Sequence, residues 1–218
     1  MKLLAKDIYR LVKKCKAVGE SPVYVALRYT INRLLKKKNV MCSSDVCIKG
    51  MGNIQTNGNL LLIGMSYNGL MCKGDRTNVS IEGKLIINGA FSIGKGCRID
   101  VAPNAIVSLE GGYINALSKI CIGHHLTIGK NCAISWDTLF LDRDFHYLVK
   151  EEHAMKADGI EIGDNCWVGN NVSLTRGARV PNDTIIASNS LVNREFSETN
   201  TLIGGIPARV LRRNVSWE

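Results

Sequence analysis

An aliphatic residue returns at every sixth position along most of the chain. This rhythm runs over residues 81–99, returns over 122–134 and resumes over 162–192. A period of six matches neither the helix period of about 3.6 residues nor the simple alternation of a strand. It fits short strands joined by tight turns, each with one aliphatic side chain directed inward, stacked as a parallel β-helix. The pattern therefore predicts an all-β main domain over residues 41–206.

The other positions of each hexad indicate a narrow prism. Glycine and asparagine are frequent at the second to fourth positions, where tight turns need a backbone with positive φ. The fifth position is small or β-branched in many hexads, because a larger side chain would overpack the interior. Cys97, Cys132 and Cys166 occupy that position. We interpret them as reduced core residues rather than metal ligands, since the chain contains no CxxC pair.

The rhythm fails over residues 141–160, where the chain reads LDRDFHYLVKEEHAMKADGI. Three polar residues, Asp142, Asp144 and His146, stand where it breaks. A β-helix with unbroken hexads has smooth walls from which a side chain cannot project far. We therefore expect a loop that leaves one corner of the prism and carries these residues away from it, while the core keeps its register.

Helical periodicity replaces the six-residue rhythm in residues 1–40. Apolar residues recur at helical spacing over 4–15, the segment 19–22 interrupts them, and a second helix is predicted over 23–35. We expect a helical hairpin that packs on the main domain or on a neighbouring subunit. The alternative is a basic amphipathic surface that meets an anionic membrane. For residues 207–218 we expect a tail with a short helix.

Charge is distributed unevenly between the arm and the main domain. The net charge is +9, and residues 1–40 hold eleven Lys or Arg and two Asp or Glu, so the whole excess lies in the arm. The balanced main domain is unlike a nucleic-acid binder. No apolar run reaches the roughly 18 residues of a spanning helix, and charged residues interrupt the apolar start of the chain, so we expect a cytoplasmic protein.

Three motifs in order resemble one known family. The hexads of the form Ile/Val/Leu-Gly-x-Asn-small-x, the DRDFH segment followed by IGDNCWVGNNV, and GGIPARVLRR over 204–213 resemble the hexapeptide-repeat acyltransferases. The likeness covers about residues 60–213. It is closest to the O-acetyltransferases of polysaccharides and to the maltose and galactoside acetyltransferases. The resemblance implies a left-handed β-helix, a homotrimer, and acetyl-CoA in a groove between neighbouring prisms.

The resemblance also implies roles for the residues at the break. His146 is expected to be the general base that deprotonates an acceptor hydroxyl, because an alcohol is a weak nucleophile at neutral pH and imidazole titrates near it. Asp142 or Asp144 is expected to orient that histidine or to bind the acceptor, and the sequence does not decide between them.

A second group of residues is expected to bind the acetyl-CoA by the same likeness. Asn170 matches the thioester end of the groove, and Ser188 takes a position that contacts the pantetheine. Trp167 either covers the groove or only packs. The remaining members are basic or polar residues suited to the phosphates. They are Asn193, Arg194, Arg209 and Arg212. Arg212 is expected one helical turn after Arg209.

The leading function is therefore acetyl-CoA-dependent O-acetylation of a carbohydrate in cell-envelope polysaccharide synthesis (capsule, O-antigen or exopolysaccharide). Two alternatives stay open: N-acetylation of an amino sugar or antibiotic, and a non-enzymatic scaffold. A zinc-dependent reaction of the carbonic-anhydrase type is disfavoured, because no HxxxxH pair occurs. We expect no metal.

Overall fold

Three parallel sheets of short strands make up most of the molecule. The structure is a computed structural model that describes residues 2–65, 71–72, 74–143 and 159–218. Successive strands pass to successive sheets, so that each coil of the chain adds one strand to each face of a triangular prism. The prism is a left-handed parallel β-helix, which confirms the predicted fold class.

The strands follow one another coil by coil along the chain. The first three coils contain β1 (Val40–Cys42), β2 (Val46–Lys49), β3 (Ile54–Gln55), β4 (Leu61–Ile63), β5 (Thr77–Ile81), β6 (Lys84–Ile87), β7 (Phe91–Ile93), β8 (Arg98–Val101) and β9 (Ile106–Leu109). The next three contain β10 (Gly112–Ile114), β11 (Lys119–Ile122), β12 (His125–Ile128), β13 (Cys132–Ile134), β14 (Leu139–Leu141), β15 (Ile160–Ile162), β16 (Trp167–Val168), β17 (Ser173–Thr175) and β18 (Arg179–Val180). The chain ends in β19 (Ile185–Ile186), β20 (Leu191–Val192), β21 (Thr201–Gly205) and β22 (Ala208–Arg213).

These strands form three faces. The first face is the sheet β1-β4-β7-β10-β13-β16-β19-β21-β22, the second is β2-β5-β8-β11-β14-β17-β20, and the third is β18-β15-β12-β9-β6-β3. The inward residues of each face stack in register. On the first face Ile134, Val168, Ile186 and Ile203 lie one above another and are almost completely buried. Burial of each such side chain contributes about 1.5–3 kcal/mol, so this stack is the main source of cohesion between coils.

Asparagine and aspartate residues build the turns. Asn131, Asn165 and Asp183 occupy the same corner of successive coils with φ of 52°, 54° and 57°. Their side chains form a ladder, because Asn131 Nδ2 donates to Asn165 Oδ1 at 2.9 Å and Asn165 Nδ2 donates to Asp183 Oδ1 at 2.7 Å. Asparagine tolerates this left-handed conformation better than most residues.

Two helices close the lower end of the prism. They are α1 (Lys2–Ala17) and α2 (Pro22–Leu34), and the Ser21 side chain accepts a hydrogen bond at the start of α2. Cys15 and Val25 pack with Met65 and with outward residues of the first face. Arg28 donates to the backbone carbonyls of Ser43 and Val46 at 2.5 and 2.7 Å. The predicted helical arm is confirmed, and it packs on the first coil.

The short helix predicted after residue 207 is wrong. Residues 208–213 form β22, which pairs antiparallel with β21. The reason is the free sheet edge at the upper end of the first face: a strand that turns back there satisfies the backbone groups of β21, which a helix would leave unpaired. Gly205, with φ of 104°, lies at the turn.

The three cysteines at the fifth hexad position are buried, as predicted. Cys97, Cys132 and Cys166 are each at most 1% exposed. Burial raises the pKa of the Cys97 thiol to about 12. A hydrogen bond with the Cys132 thiol, together with burial, raises the pKa of Cys166. The thiols of Cys97 and Cys166 are therefore protonated at neutral pH and shielded from reagents.

We predict that iodoacetamide at pH 8 separates the exposed from the interior cysteines. Cys47 and Cys72 are exposed and should be alkylated first. Cys97 and Cys166 should stay unmodified in the native protein, because a raised pKa leaves almost no thiolate at this pH. Peptide mass mapping over time, with a sample unfolded in guanidinium as the control, measures this. Alkylation of Cys97 at the rate of Cys47 in the native protein would contradict the packed prism.

Candidate functional site

A groove of about 560 Å³ runs along the outer side of the first face. Its size is that of a site for a small ligand or for part of a cofactor. Three of the predicted cofactor-binding residues, Trp167, Asn170 and Ser188, line it. The other described lining residues are Tyr113, Asn115, Ala133, Ser135, Trp136, Gly169, Ser216, Trp217 and Glu218.

Strand alternation decides which side chains face the groove. Val168 is fully buried in the core, so its neighbour Trp167 must point outward, and it is 42% exposed. Coil stacking then aligns the outward residues in one line, which we call the outward row. It consists of Tyr113, Ala133, Trp167, Ile185 and Leu202, paired in register from coil to coil.

The corner between the first and second faces supplies the polar side of the groove. Ser188 Oγ donates to Asn170 Oδ1 at 2.6 Å, one coil above the other. This bond occupies the carbonyl oxygen of Asn170 and leaves its amino group as the donor that the side chain offers. Gly169 allows the two turns to approach, because an added Cβ would lie 2.6 Å from the amide nitrogen of Ser188.

The two predicted arginines of the last motif lie on the upper continuation of the outward row. Arg212 pairs with Leu202 and Arg209 pairs with Gly204, with a register shift between Leu202 and Ile203. In a regular strand, two residues three apart point to opposite sides of the sheet. The register shift changes this for Arg209 and Arg212, so Arg212 also stands opposite an outward position of β21. The helix expected to carry these two residues is wrong, but both side chains are exposed.

Asn193 and Arg194 are not among the described residues that line the groove. They follow β20 and are exposed. One amino group of Arg194 donates to the Ala208 carbonyl at 3.1 Å, and its guanidinium lies 5.0 Å from the centre of the Phe196 ring. The structure therefore gives Arg194 a packing role within the upper coils.

Asp142 lies at the base of the interruption and is fully buried. Its carboxylate accepts hydrogen bonds from the backbone N–H groups of Gly123, His124 and His125 at 2.6, 3.0 and 2.9 Å. Three such bonds hold the turn before β12 against the end of β14. The predicted partners Asp144 and His146, and most of the loop predicted over 141–160, lie outside the described residues.

The sequence pattern did not indicate some of the residues that line the groove. Trp217 was missed because residues 207–218 were expected to form a tail with a short helix, whereas residues 214–218 run back along the prism. Trp136 lies in a turn that the repeat pattern does not distinguish from others. Among the described residues there is no cluster of three or more His, Cys, Asp or Glu arranged to hold a metal ion.

Comparison with known proteins places this architecture in a family. A family model described as "Hexapeptide repeat of succinyl-transferase" matches residues 154–176. An uncharacterized 24.8 kDa protein of the cps region of Klebsiella pneumoniae is 34% identical over 209 residues, covering 95% of this chain and 94% of that protein.

Two relatives in Escherichia coli K12 carry names of activities. WbbJ, named for lipopolysaccharide biosynthesis O-acetyl transfer, is 24% identical over 145 residues, which cover 61% of this chain and 73% of WbbJ. Galactoside O-acetyltransferase is 26% identical over 102 residues, which cover 46% of this chain and 50% of that enzyme. The chain belongs to the hexapeptide-repeat family of acetyltransferases, in the group that includes the polysaccharide and galactoside O-acetyltransferases.

Proposed function

We propose that the protein transfers an acetyl group from acetyl-CoA to a hydroxyl of a carbohydrate used in cell-envelope polysaccharide synthesis. The observation that carries the proposal is the groove on the first face, because it collects Trp167, Asn170 and Ser188 on one accessible surface. The relative named for lipopolysaccharide O-acetyl transfer supports a polysaccharide acceptor. An amino-sugar or antibiotic acceptor and a non-enzymatic scaffold are the alternatives that the experiments below separate.

The outward row suits the long donor molecule. Its lower part is aromatic and apolar, which fits the pantetheine arm, and its upper end carries Arg209 and Arg212, which fit the phosphates by bidentate hydrogen bonding. Trp167 and Arg212 are three strands apart, about 14 Å by the usual spacing of strands. We keep Asn193 and Arg194 as further candidates for the phosphate end, with one amino group of Arg194 already engaged.

The proposed reaction needs a base and an oxyanion site. His146 takes the proton of the acceptor hydroxyl as that oxygen attacks the thioester carbonyl. Collapse of the tetrahedral intermediate expels the CoA thiolate, which takes up the proton, and the acetyl ester is left on the sugar. Backbone N–H groups at the Asn170 turn are the proposed donors to the oxyanion.

The position of the loop favours a site built by two chains. The chain leaves the prism after β14 on the second face and returns at β15 on the third face. The corner between those two faces lies across the prism from the first face, where the groove lies. A histidine carried by that loop is better placed to reach the groove of a neighbouring prism than its own. This supports a homotrimer, whose three equivalent interfaces would each hold one site.

We predict that His146→Ala lowers kcat for acetyl transfer by about 100-fold or more, since a positioned general base contributes at least that much. The measurement follows free thiol released from acetyl-CoA with a panel of sugars, amino sugars and serine. Release that depends on a hydroxyl acceptor supports O-acetylation, and release with amine acceptors alone would favour the N-acetyl alternative. A wild-type protein that binds no acetyl-CoA would exclude both.

Mixed oligomers extend the same experiment to the shared site. Chains with His146→Ala and chains with Trp167→Ala are refolded together in equal amounts. If each site takes its histidine and its groove from different chains, about a quarter of the sites are intact and activity returns to that level. If one chain supplies both parts, the mixture shows no more than the mean activity of the two parent variants, because every site carries one defect.

We predict that Asp142 and Asp144 behave differently when replaced. Asp142→Ala should lower the free energy of unfolding by about 1–3 kcal/mol, because it leaves three backbone N–H groups without their acceptor. Asp144→Ala should lower kcat about 10- to 100-fold, if this residue orients His146. Denaturant unfolding and steady-state kinetics measure the two effects. Asp100→Ala, at an exposed position of β8, is the control.

We further propose that the arm contacts an anionic membrane surface from the cytoplasmic side. Val23, Leu27, Ile31 and Leu34 form an exposed apolar stripe on α2, opposite the side that packs on the prism. The exposed cations of residues 36–37 follow it. An apolar stripe beside basic residues fits a negatively charged lipid surface. No helix among the described residues is long and apolar enough to cross a bilayer.

We predict that the protein sediments with vesicles of phosphatidylglycerol and phosphatidylcholine, less at high salt, and not with phosphatidylcholine alone. Leu27→Gln with Leu34→Gln should abolish this binding and leave acetyl transfer to a soluble acceptor unchanged. Ser21→Ala is not expected to remove the stripe and serves as the control. If the Gln variant instead loses its trimer mass in sedimentation, the stripe is a subunit interface and the membrane proposal fails.

A further inference from the structure

All three tryptophans of the chain line the groove on the first face. They are Trp136, Trp167 and Trp217. The first two belong to the coils, but Trp217 arrives from outside them, in the segment 214–218 that follows β22. We call this segment the strap.

The strap runs back down one edge of the prism and is attached at two coils. Val215 N donates to the Asn200 carbonyl at 3.1 Å, and Trp217 Nε1 donates to the Asn165 carbonyl at 2.8 Å. Asn165 and Asn200 are both turn residues with positive φ, on either side of the coil turn at Asp183. The strap therefore descends past successive coil turns from the upper end of the prism to the level of Trp167.

Trp217 is fixed where its ring can act on a ligand. Its one hydrogen-bond donor is used by Asn165, so the side chain offers only its aromatic faces to the groove. The ring centres of Trp217 and Trp167 are 6.4 Å apart with the planes tilted by 47°. This is a tilted pair rather than a closed stack, and the groove keeps about 560 Å³ with the strap in place. The strap is therefore a wall of the groove and not a plug.

The charged residues around this wall favour one orientation of a bound ligand. Glu218 lines the groove beside Trp217, whereas Arg209 and Arg212 lie on β22 at the upper end of the same face. A ligand with an anionic end and an apolar arm would be repelled from the carboxylate and attracted by the guanidinium groups. Its apolar arm would then lie between the aromatic rings.

We propose that Trp217 is a binding residue for the acyl donor, which forms with Trp167 an aromatic clamp on the pantetheine arm of acetyl-CoA. The inference rests on the proposed function. It adds a residue supplied by the strap, to which the repeat pattern does not point, and it assigns the strap to the donor rather than to the carbohydrate.

The test compares Trp217→Ala with Trp217→Phe in the full chain. Trp217→Ala should raise the Kd for acetyl-CoA, and the KM for it, about tenfold with little change in kcat, because one aromatic contact is lost. Trp217→Phe keeps a ring at that position and should retain most of the affinity. Calorimetric titration with acetyl-CoA gives Kd, and tryptophan fluorescence gives a second reading, since every tryptophan faces the groove. Thermal unfolding of each variant checks that the fold is kept.

The outcomes separate this inference from the proposed function. If wild-type protein binds acetyl-CoA and Trp217→Ala binds it equally well, the clamp is wrong while the proposed function stands. If the KM for the acceptor rises and the Kd for acetyl-CoA does not, the strap serves the carbohydrate and the donor assignment is overturned. If Trp217→Phe is as weak as Trp217→Ala, the hydrogen bond to Asn165 matters rather than the ring, and the clamp is again wrong. Wild-type protein that binds no acetyl-CoA removes both proposals.

Discussion

Each strand of the prism finds its hydrogen-bonding partners in the coils directly above and below it, and the rest of the structure depends on this stacking. The parallel register brings Ile134, Val168 and Ile186 together in the core. Because the strands are only two to five residues long over these coils, one inward residue settles the direction of its neighbours. Trp167 faces solvent because Val168 faces the core. The groove is thus a consequence of how the core is packed.

The same stacking explains how the chain tolerates an interruption of its repeat. A loop inserted at a corner would loosen the coil from which it leaves unless that coil is held by other bonds. Asp142 supplies them, because its carboxylate accepts hydrogen bonds from three successive backbone N–H groups at the start of β12. The pairing of β14 with β17 and of β12 with β15 continues on both sides of the interruption. A buried, fully used carboxylate at the start of the loop therefore gives a proposed catalytic segment a firm base.

The two ends of the prism are closed by different elements. A stack of coils leaves an open core and free strand edges at each end. At the lower end α2 covers the first coil, and Arg28 binds two of its carbonyls. At the upper end β22 pairs with β21, and the strap continues from it to the groove. Closing the upper end thus brings Trp217 beside Trp167, so that one segment serves both stability and the candidate site.

The sequence by itself determined the coil architecture and the helical arm, because each follows from local spacing of apolar residues. It also brought Asn170 and Ser188 to notice, although only as parts of a family motif. The tertiary structure decided the rest. Residues 208–213 became a strand because a free sheet edge was there to pair with, and a register shift turned Arg212 outward. Asp142 was bound by a turn seventeen to nineteen residues earlier in the chain, and Trp217 reached a carbonyl fifty-two residues away. Such contacts join residues distant in the chain, and no local spacing records them.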